Sequence, residues 1–239
     1  MSDRPTHKSV TCPQCAAPFE RAIVWFDGRE IMADRGCLCD TCEERRAAAV
    51  AAASAEERHL ELWKARAPED YHRAATTHVQ PALHPALAWR PSAASRRLGL
   101  WGPPGTGKSM AAALIVRAAG VPFRWISGFS ARAAYNTSVT GDGEARKRAT
   151  TTWLRLLEAD LLVLDDVDKG NFTEAWASAL YDILEARNGN CLPTIWTANH
   201  GPDAMSRKMA KCGDHDLADS IERRLCGGAA IYQSTIATP

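Results

Sequence analysis

The octapeptide Gly102-Pro103-Pro104-Gly105-Thr106-Gly107-Lys108-Ser109 constrains this chain more than any other feature. It matches the phosphate-binding loop pattern G-x-x-x-x-G-K-[ST] at every fixed position. An apolar run, Leu98-Gly99-Leu100-Trp101, precedes it and reads as a short buried strand. A helix-forming run, Met110 to Val116, follows it. Strand, glycine loop and helix in that order demand an α/β architecture. The glycines let the backbone turn its N–H groups inward around phosphate oxygens, and the helix N-terminus adds partial positive charge. Lys108 then reaches the β- and γ-phosphates of a nucleotide, and the Ser109 hydroxyl offers a ligand to Mg²⁺. Residues 102–109, with Met110 at the start of the helix, form the expected nucleotide-binding set.

Two further segments fit around that loop. Asp160-Leu161-Leu162-Val163-Leu164-Asp165-Asp166 is an apolar run ending in two carboxylates, the form of a Walker B strand. Such a run is buried between helices and delivers its acids to the edge where the phosphate loop sits. Asp165 is placed to hold Mg²⁺, and Asp166 to orient or deprotonate the attacking water. Leu192-Pro193-Thr194-Ile195-Trp196-Thr197-Ala198-Asn199 reads as another core strand. Asn199 at its end would position the lytic water; the plainer alternative is a strand-end Asn that caps the next turn. Asp219 to Leu225 reads as a helix carrying Arg223 and Arg224 near its end. An Arg there is far from its own phosphate loop and would reach the nucleotide of a neighbouring subunit. The bland alternative is a solvated basic pair favoured by the helix dipole.

Five buried strands are expected, at about 98–101, 122–126, 161–165, 193–197 and 229–234. Helical patterns separate them, for example Thr173 to Arg187 with Trp176, Leu180, Ile183 and Leu184 on one face. Alternating strand and helix means a parallel sheet with right-handed crossovers.

Five of the eight cysteines fall in the first 42 residues. Cys12-Pro-Gln-Cys15 and Cys39-Asp-Thr-Cys42 are two C-x-x-C knuckles separated by 23 residues, the spacing of a tetrahedral zinc site. Cys37 is spare, or competes with Cys39. Between the knuckles lies a β-rich stretch, Phe19 to Phe26, with a turn at Asp27-Gly28. So small a module has too little core to fold without its metal. Glu43 to Ala65 carries no Gly or Pro and reads as a helix, which Pro68 ends. The expected organisation is a zinc ribbon over 1–45, a helical linker over 46–68 and a nucleotide-binding domain over 69–239.

Composition narrows the setting. No run approaches the 18 apolar residues of a membrane span, and no apolar core follows the charges of Met1 to Lys8, so neither membrane insertion nor a signal peptide is expected. Clustered cysteines without such a signal point to the reducing cytoplasm. The net charge of +1 excludes a global electrostatic case for nucleic-acid binding. Residues 1–50 carry seven Lys/Arg against eight Asp/Glu, so the ribbon leans towards a protein partner. Phe129, Arg132, Tyr135, Arg146, Lys147 and Arg148 offer charge and stacking to a DNA strand, or else are solvated helix faces and core aromatics.

These residues together resemble the DnaC/IstB-like branch of AAA+ ATPases, over roughly 66–239. The resemblance rests on GPPGTGKS at 102–109, LLVLDD at 161–166, TAN at 197–199 and ERRL at 222–225. It implies a P-loop NTPase fold of the AAA+/ASCE type and ATP and Mg²⁺ as cofactors, with zinc in the Cys-rich ribbon that some phage members share. It implies self-association through the ATP sites, with Arg224 matching the family's arginine finger best and Arg223 the neighbour that could replace it. It also implies work in DNA replication, as an ATPase that loads a replicative helicase and handles single-stranded DNA. A transposition helper that binds duplex DNA and recruits a transposase is the alternative within the branch, and an adaptor with little turnover is a third reading. Two departures stand out. Asp166 occupies the place where many members have Glu, but IstB-like members often carry Asp–Asp, so the resemblance still implies hydrolysis, at a slow rate. Only 15 residues follow Arg224, too few for a helical lid.

Overall fold

The computed structural model describes residues 7–26, 29–32, 38–170, 172–212 and 215–235. The chain divides into two compact units between Arg58 and His59.

The first unit opens with β1 (His7–Thr11), β2 (Pro18–Phe26) and β3 (Arg29–Met32), an antiparallel sheet in the order β1-β2-β3. The β-rich stretch expected over Phe19 to Phe26 is strand β2, and the expected Asp27-Gly28 turn lies outside the described residues. Helix α1 (Asp40–Arg66) follows, three residues longer at its start than the expected helix, with Asp40 and Glu43 in a first turn that favours acids. Its middle is rich in Ala and mostly exposed. Its last turns belong to the second unit, where Trp63 is buried and donates its indole N–H to the Ala113 carbonyl.

The second unit is built on a five-stranded parallel sheet: β4 (Arg97–Trp101), β5 (Arg124–Ser127), β6 (Leu162–Asp165), β7 (Thr194–Ala198) and β8 (Ala229–Gln233), in the order β5-β6-β7-β4-β8. All five expected strands are present, shifted by one or two residues at their ends. Between them run α2 (Lys108–Ala119), α3 (Gly128–Thr140), α4 (Gly143–Glu158), α5 (Glu174–Gly189), α6 (Pro202–Ala210) and α7 (His215–Cys226).

Each central strand feeds two cores, because successive side chains point to opposite faces. Leu161 and Val163 join Leu98, Leu100, Ile195 and the Ala111–Val116 stripe of α2 on one face. Leu162 and Leu164 join Trp196, Trp176, Leu180, Ile183 and Ile221 on the other. Burial on both faces is why these strands are continuous apolar runs in the sequence. The expected face of α5, Trp176, Leu180, Ile183 and Leu184, is buried. Gly99 sits in β4 for steric reasons: a Cβ there would lie 2.2 Å from the Trp196 ring, which covers the strand at that point.

The helix starts carry local signals. Ser127 caps α3 by accepting the Ser130 N–H, and Thr173 caps α5 by accepting the Trp176 N–H. At the end of α5, buried Arg187 donates to the carbonyls of Leu156, Ala159 and Pro193 and to the Thr194 hydroxyl. Burial pushes this guanidinium down to about 10, opposed by Asp160, so it stays charged at neutral pH.

Between α1 and β4 the chain makes three short 3-10 turns, Glu69–Tyr71, Thr76–His78 and Pro81–Ala88. Pro81 and Pro85 within the last of them bar an ordinary α-helix there. This stretch packs on the phosphate loop: the Gln80 N–H donates to the Thr106 carbonyl, and Leu83 and Ala86 are buried.

Candidate functional site

The loop 102–107 connects β4 to α2, at the C-terminal edge of the sheet. Gly102, Gly105 and Gly107 all have positive φ, at 138°, 78° and 83°. At two of them space is also lacking. A Cβ on Gly102 would lie 2.3 Å from the Ser234 carbonyl oxygen, and one on Gly107 would lie 2.2 Å from that of His78. Thr106 ties the loop to the end of β8, its hydroxyl 2.6 Å from that of buried Ser234, whose N–H donates to the Trp101 carbonyl.

The loop borders a cavity of about 760 Å³ lined by Gly105, Gly107, Lys108, Ser109, Met110, Asp166 and Asn199, and also by Tyr71, Arg73, His78 and Lys169. The size suits a nucleotide-sized ligand. Lys108 Nζ donates to the carbonyls of Gly102 and Pro103, each at 2.8 Å, and to Asn199 Oδ1 at 3.1 Å. Burial lowers its pKa, while the Asp166, Asp168 and Asp165 carboxylates oppose the shift. The Ser109 hydroxyl donates to Asp165 Oδ1 at 2.7 Å, and Thr197 donates to the same oxygen at 2.7 Å. Ser109 and Asp165, expected to share Mg²⁺, are therefore adjacent, and together they offer hard oxygen donors of the kind that ion takes.

Asp166 follows with φ of 54°, a left-handed conformation that Asp tolerates better than most residues. Its N–H donates to the Thr197 hydroxyl at 2.8 Å, and its carboxylate pairs with Lys169 at 3.3 Å on the cavity wall. The phosphate loop, Asp166 and Asn199 thus meet at one cavity, and Asp165 is joined to it through the Ser109 hydroxyl.

Three contributors escaped sequence reasoning. Tyr71 donates its hydroxyl to Asp165 Oδ2 at 3.2 Å and packs against Trp125 in a tilted arrangement, with ring centroids 5.1 Å apart. Burial, and then the Asp165 charge, push its phenol up to about 12. Thr197 bridges Asp165 and the Asp166 N–H. Asp168, with a fully buried side chain, accepts the N–H groups of Asn199 and His200. Tyr71 is 94 residues from its partner, and no periodicity signals such a contact.

Arg223 and Arg224 do not line this cavity. Arg224 is held within its own chain: Nε pairs with Glu185, Nη2 donates to the Tyr181 hydroxyl at 3.1 Å, and the guanidinium lies 4.4 Å from the Tyr181 ring centroid. The hydrogen bond to Glu185 raises its pKa and lowers that of Glu185. Arg223 is exposed and donates to the Ser220 hydroxyl at 3.1 Å. Of the residues expected to touch DNA, Tyr135 packs on Trp153 at 4.9 Å beside the core, whereas Phe129 is exposed on α3 with the Arg132 guanidinium 5.5 Å from its ring. Arg146, Lys147 and Arg148 lie exposed on α4.

In the first unit the thiols of Cys12, Cys15, Cys39 and Cys42 all lie within 4.8 Å of one another, with Cys15 and Cys39 Sγ 3.5 Å apart. Four thiolates at about 2.3 Å from one zinc would stand roughly 3.8 Å apart, so the cluster fits that ion. Cys39 and Cys42 are placed by the start of α1, and Cys12 by the end of β1, its N–H donating to the Ala17 carbonyl. A hydrogen bond from the Cys39 backbone brings the Cys12 thiol down to about 6, whereas the Cys15 thiol and burial push Cys42 up to about 12. Cys37, the alternative ligand, lies outside the described residues.

Comparison with known proteins follows the same lines. The family model "ATPase family associated with various cellular activities (AAA)" matches residues 98–218. A search of curated proteins finds no match. Among solved structures, a candidate primosome component from Streptococcus pyogenes serotype M3 is similar at TM-score 0.51 and 20% identity, covering 70% of this chain and 88% of that one. The DnaC helicase loader is similar at TM-score 0.53 and 18% identity, covering 70% and 99%. DnaI is similar at TM-score 0.56 and 18% identity, covering 70% and 93%. At such identities the likeness is one of fold.

Proposed function

Because the chain belongs to the AAA family of ATPases, we propose that it binds ATP with Mg²⁺, hydrolyses it, and uses the cycle to load a replicative helicase onto single-stranded DNA in the cytoplasm. One observation carries the nucleotide part: Lys108 Nζ stands between loop carbonyls and Asn199 Oδ1, in a 760 Å³ cavity beside the Ser109–Asp165 pair.

In this reading the N–H groups of residues 102–109 and Met110 surround the phosphates, and Lys108 exchanges its loop carbonyls for phosphate oxygens. Ser109 and Asp165 hold Mg²⁺, which supplies neutralisation of phosphate charge when bound. Asp166 takes up the attacking water, and Asn199 orients it. Arg224 serves the site of an adjacent copy, with Arg223 as the nearest substitute. The four ribbon cysteines hold zinc. The helicase-loading part is supported by the motif resemblance and by a fold shared with a protein named as a helicase loader. Exposed Phe129, with Arg132 beside it, gives the single strand a stacking surface. Among the described residues, no helix is long and apolar enough to cross a membrane.

Lys108→Ala tests the reading. It should abolish binding of a fluorescent ATP analogue while leaving the far-ultraviolet circular dichroism unchanged. Undiminished affinity in the folded variant would refute the nucleotide assignment. Co-purification of a replicative helicase in ATP, and its loss with Lys108→Ala, tests the partner.

A further inference from the structure

Asp168 lies two residues beyond the Walker B acids and outside every motif in the chain. Its carboxylate is fully buried, out of reach of the water that would otherwise solvate it. It is satisfied instead by three N–H groups from the end of β7. The Asn199 N–H lies 3.0 and 3.1 Å from its two oxygens, the His200 N–H donates to Oδ2 at 2.9 Å, and His200 Nδ1 donates to Oδ2 at 2.5 Å. The other His200 nitrogen, Nε2, accepts from Lys208 of α6 at 3.0 Å. Just upstream, the Asp166 N–H donates to the Thr197 hydroxyl and the Val167 N–H to the Thr197 carbonyl. The turn after β6 is thus stitched to the end of β7 by five hydrogen bonds. Burying a carboxylate is costly unless donors replace its water. Here two of the three donors are backbone groups, one of them that of Asn199 itself.

We propose that Asp168 is a positioning residue for ATP turnover: it fixes the Asn199 backbone so that the side-chain amide faces Lys108 and the phosphate end of the cavity. The inference rests on the assignment of Asn199 to hydrolysis made above. It gives the buried charge a task that a neutral turn residue could not perform, because a carboxylate accepts from both N–H groups at once whereas an amide side chain presents a donor to one of them.

The test compares Asp168→Asn, Asn199→Ala, the double variant and His200→Ala, each with ATP affinity, kcat and amide hydrogen exchange measured below its own melting temperature. Asp168→Asn should lower kcat by about 10- to 100-fold and leave ATP affinity within about threefold. Exchange at the Asn199 and His200 amides should quicken while that of α5 is unchanged. The double variant should be no slower than Asn199→Ala alone, because both changes remove one function. His200→Ala, which spares both backbone N–H groups, should lose less than Asp168→Asn. Wild-type kcat in folded Asp168→Asn, or losses that multiply in the double variant, would overturn the proposal while leaving Asn199 in place. Wild-type kcat in Asn199→Ala would overturn the role of Asn199 itself, and this inference with it. A wild-type chain that binds ATP without turnover would overturn the hydrolysis reading and remove the function that Asp168 serves.

Discussion

Gly105 and Gly107 share a positive φ, yet the loop uses them differently. A Cβ on Gly105 meets nothing within 4 Å, whereas one on Gly107 collides with the His78 carbonyl and the Val79 Cα. Gly105→Ala should therefore cost only the strain of a left-handed L-residue, about 1–2 kcal/mol. Gly107→Ala adds forced movement of packed backbone, which costs a further 1–3 kcal/mol or so. Urea unfolding of the two variants should separate them by that margin, and Gly107→Ala alone should lose ATP affinity through a displaced loop. Equal stabilities would mean that the 3-10 stretch yields freely. At this scale the sequence was most legible where chemistry fixes residue type and spacing together, as in Lys108, Ser109, Asp165 and Asp166. It assigned no task to Tyr71, Thr197 or Asp168, whose residue types are common in turns and strands and which meet Asp165 and Asn199 only through the fold.

At the scale of elements, the sheet could be read because burial on both faces leaves an unmistakable apolar run. Strand ends drifted by one or two residues, since the last ladder bond depends on neighbours rather than on the run itself. The stretch 69–88 left no such trace. Its prolines suppress a helical period, and its value lies in covering the phosphate loop. The ribbon is the opposite case, with its spacing the informative signal: Phe19 and Leu38 pack around the thiols, and Ile23 of β2 is buried. If the four thiols hold an ion, its binding energy is folding energy for this unit. Metal analysis of the purified chain should give about one zinc per molecule. Cys12→Ser should release it and abolish protection of the β1–β2 amides, whereas Cys37→Ser should retain it. Slow amide exchange across β1 and β2 in metal-free protein would show that the thiols need no ion.

For the whole molecule, a net charge of +1 gives neither long-range attraction to DNA nor strong repulsion between copies. Any self-association would then depend on local complementarity, and the two arginines of α7 are its sharpest probe. Arg224 rests on Glu185 and Tyr181 in the single chain, and Arg223 faces solvent. If Arg224 serves a neighbour's nucleotide, that contact must compete with the Glu185 pair, whose acid is half exposed and whose attraction solvent screens. The transition-state charge it would meet is worth far more, since an arginine finger supplies about 10³-fold or more in turnover. Arg224→Ala should therefore keep its fold and its ATP affinity but lose nearly all hydrolysis. Mixed with Lys108→Ala, it should recover part of the activity, because one variant retains an intact cavity and the other an intact Arg224. Activity per molecule should also rise with protein concentration in the wild type. Arg223→Ala provides the control, since the same loss and rescue there, with Arg224→Ala active, would transfer the role to the exposed member of the pair. No rescue at any ratio, with turnover independent of concentration, would mean that each chain completes its own site.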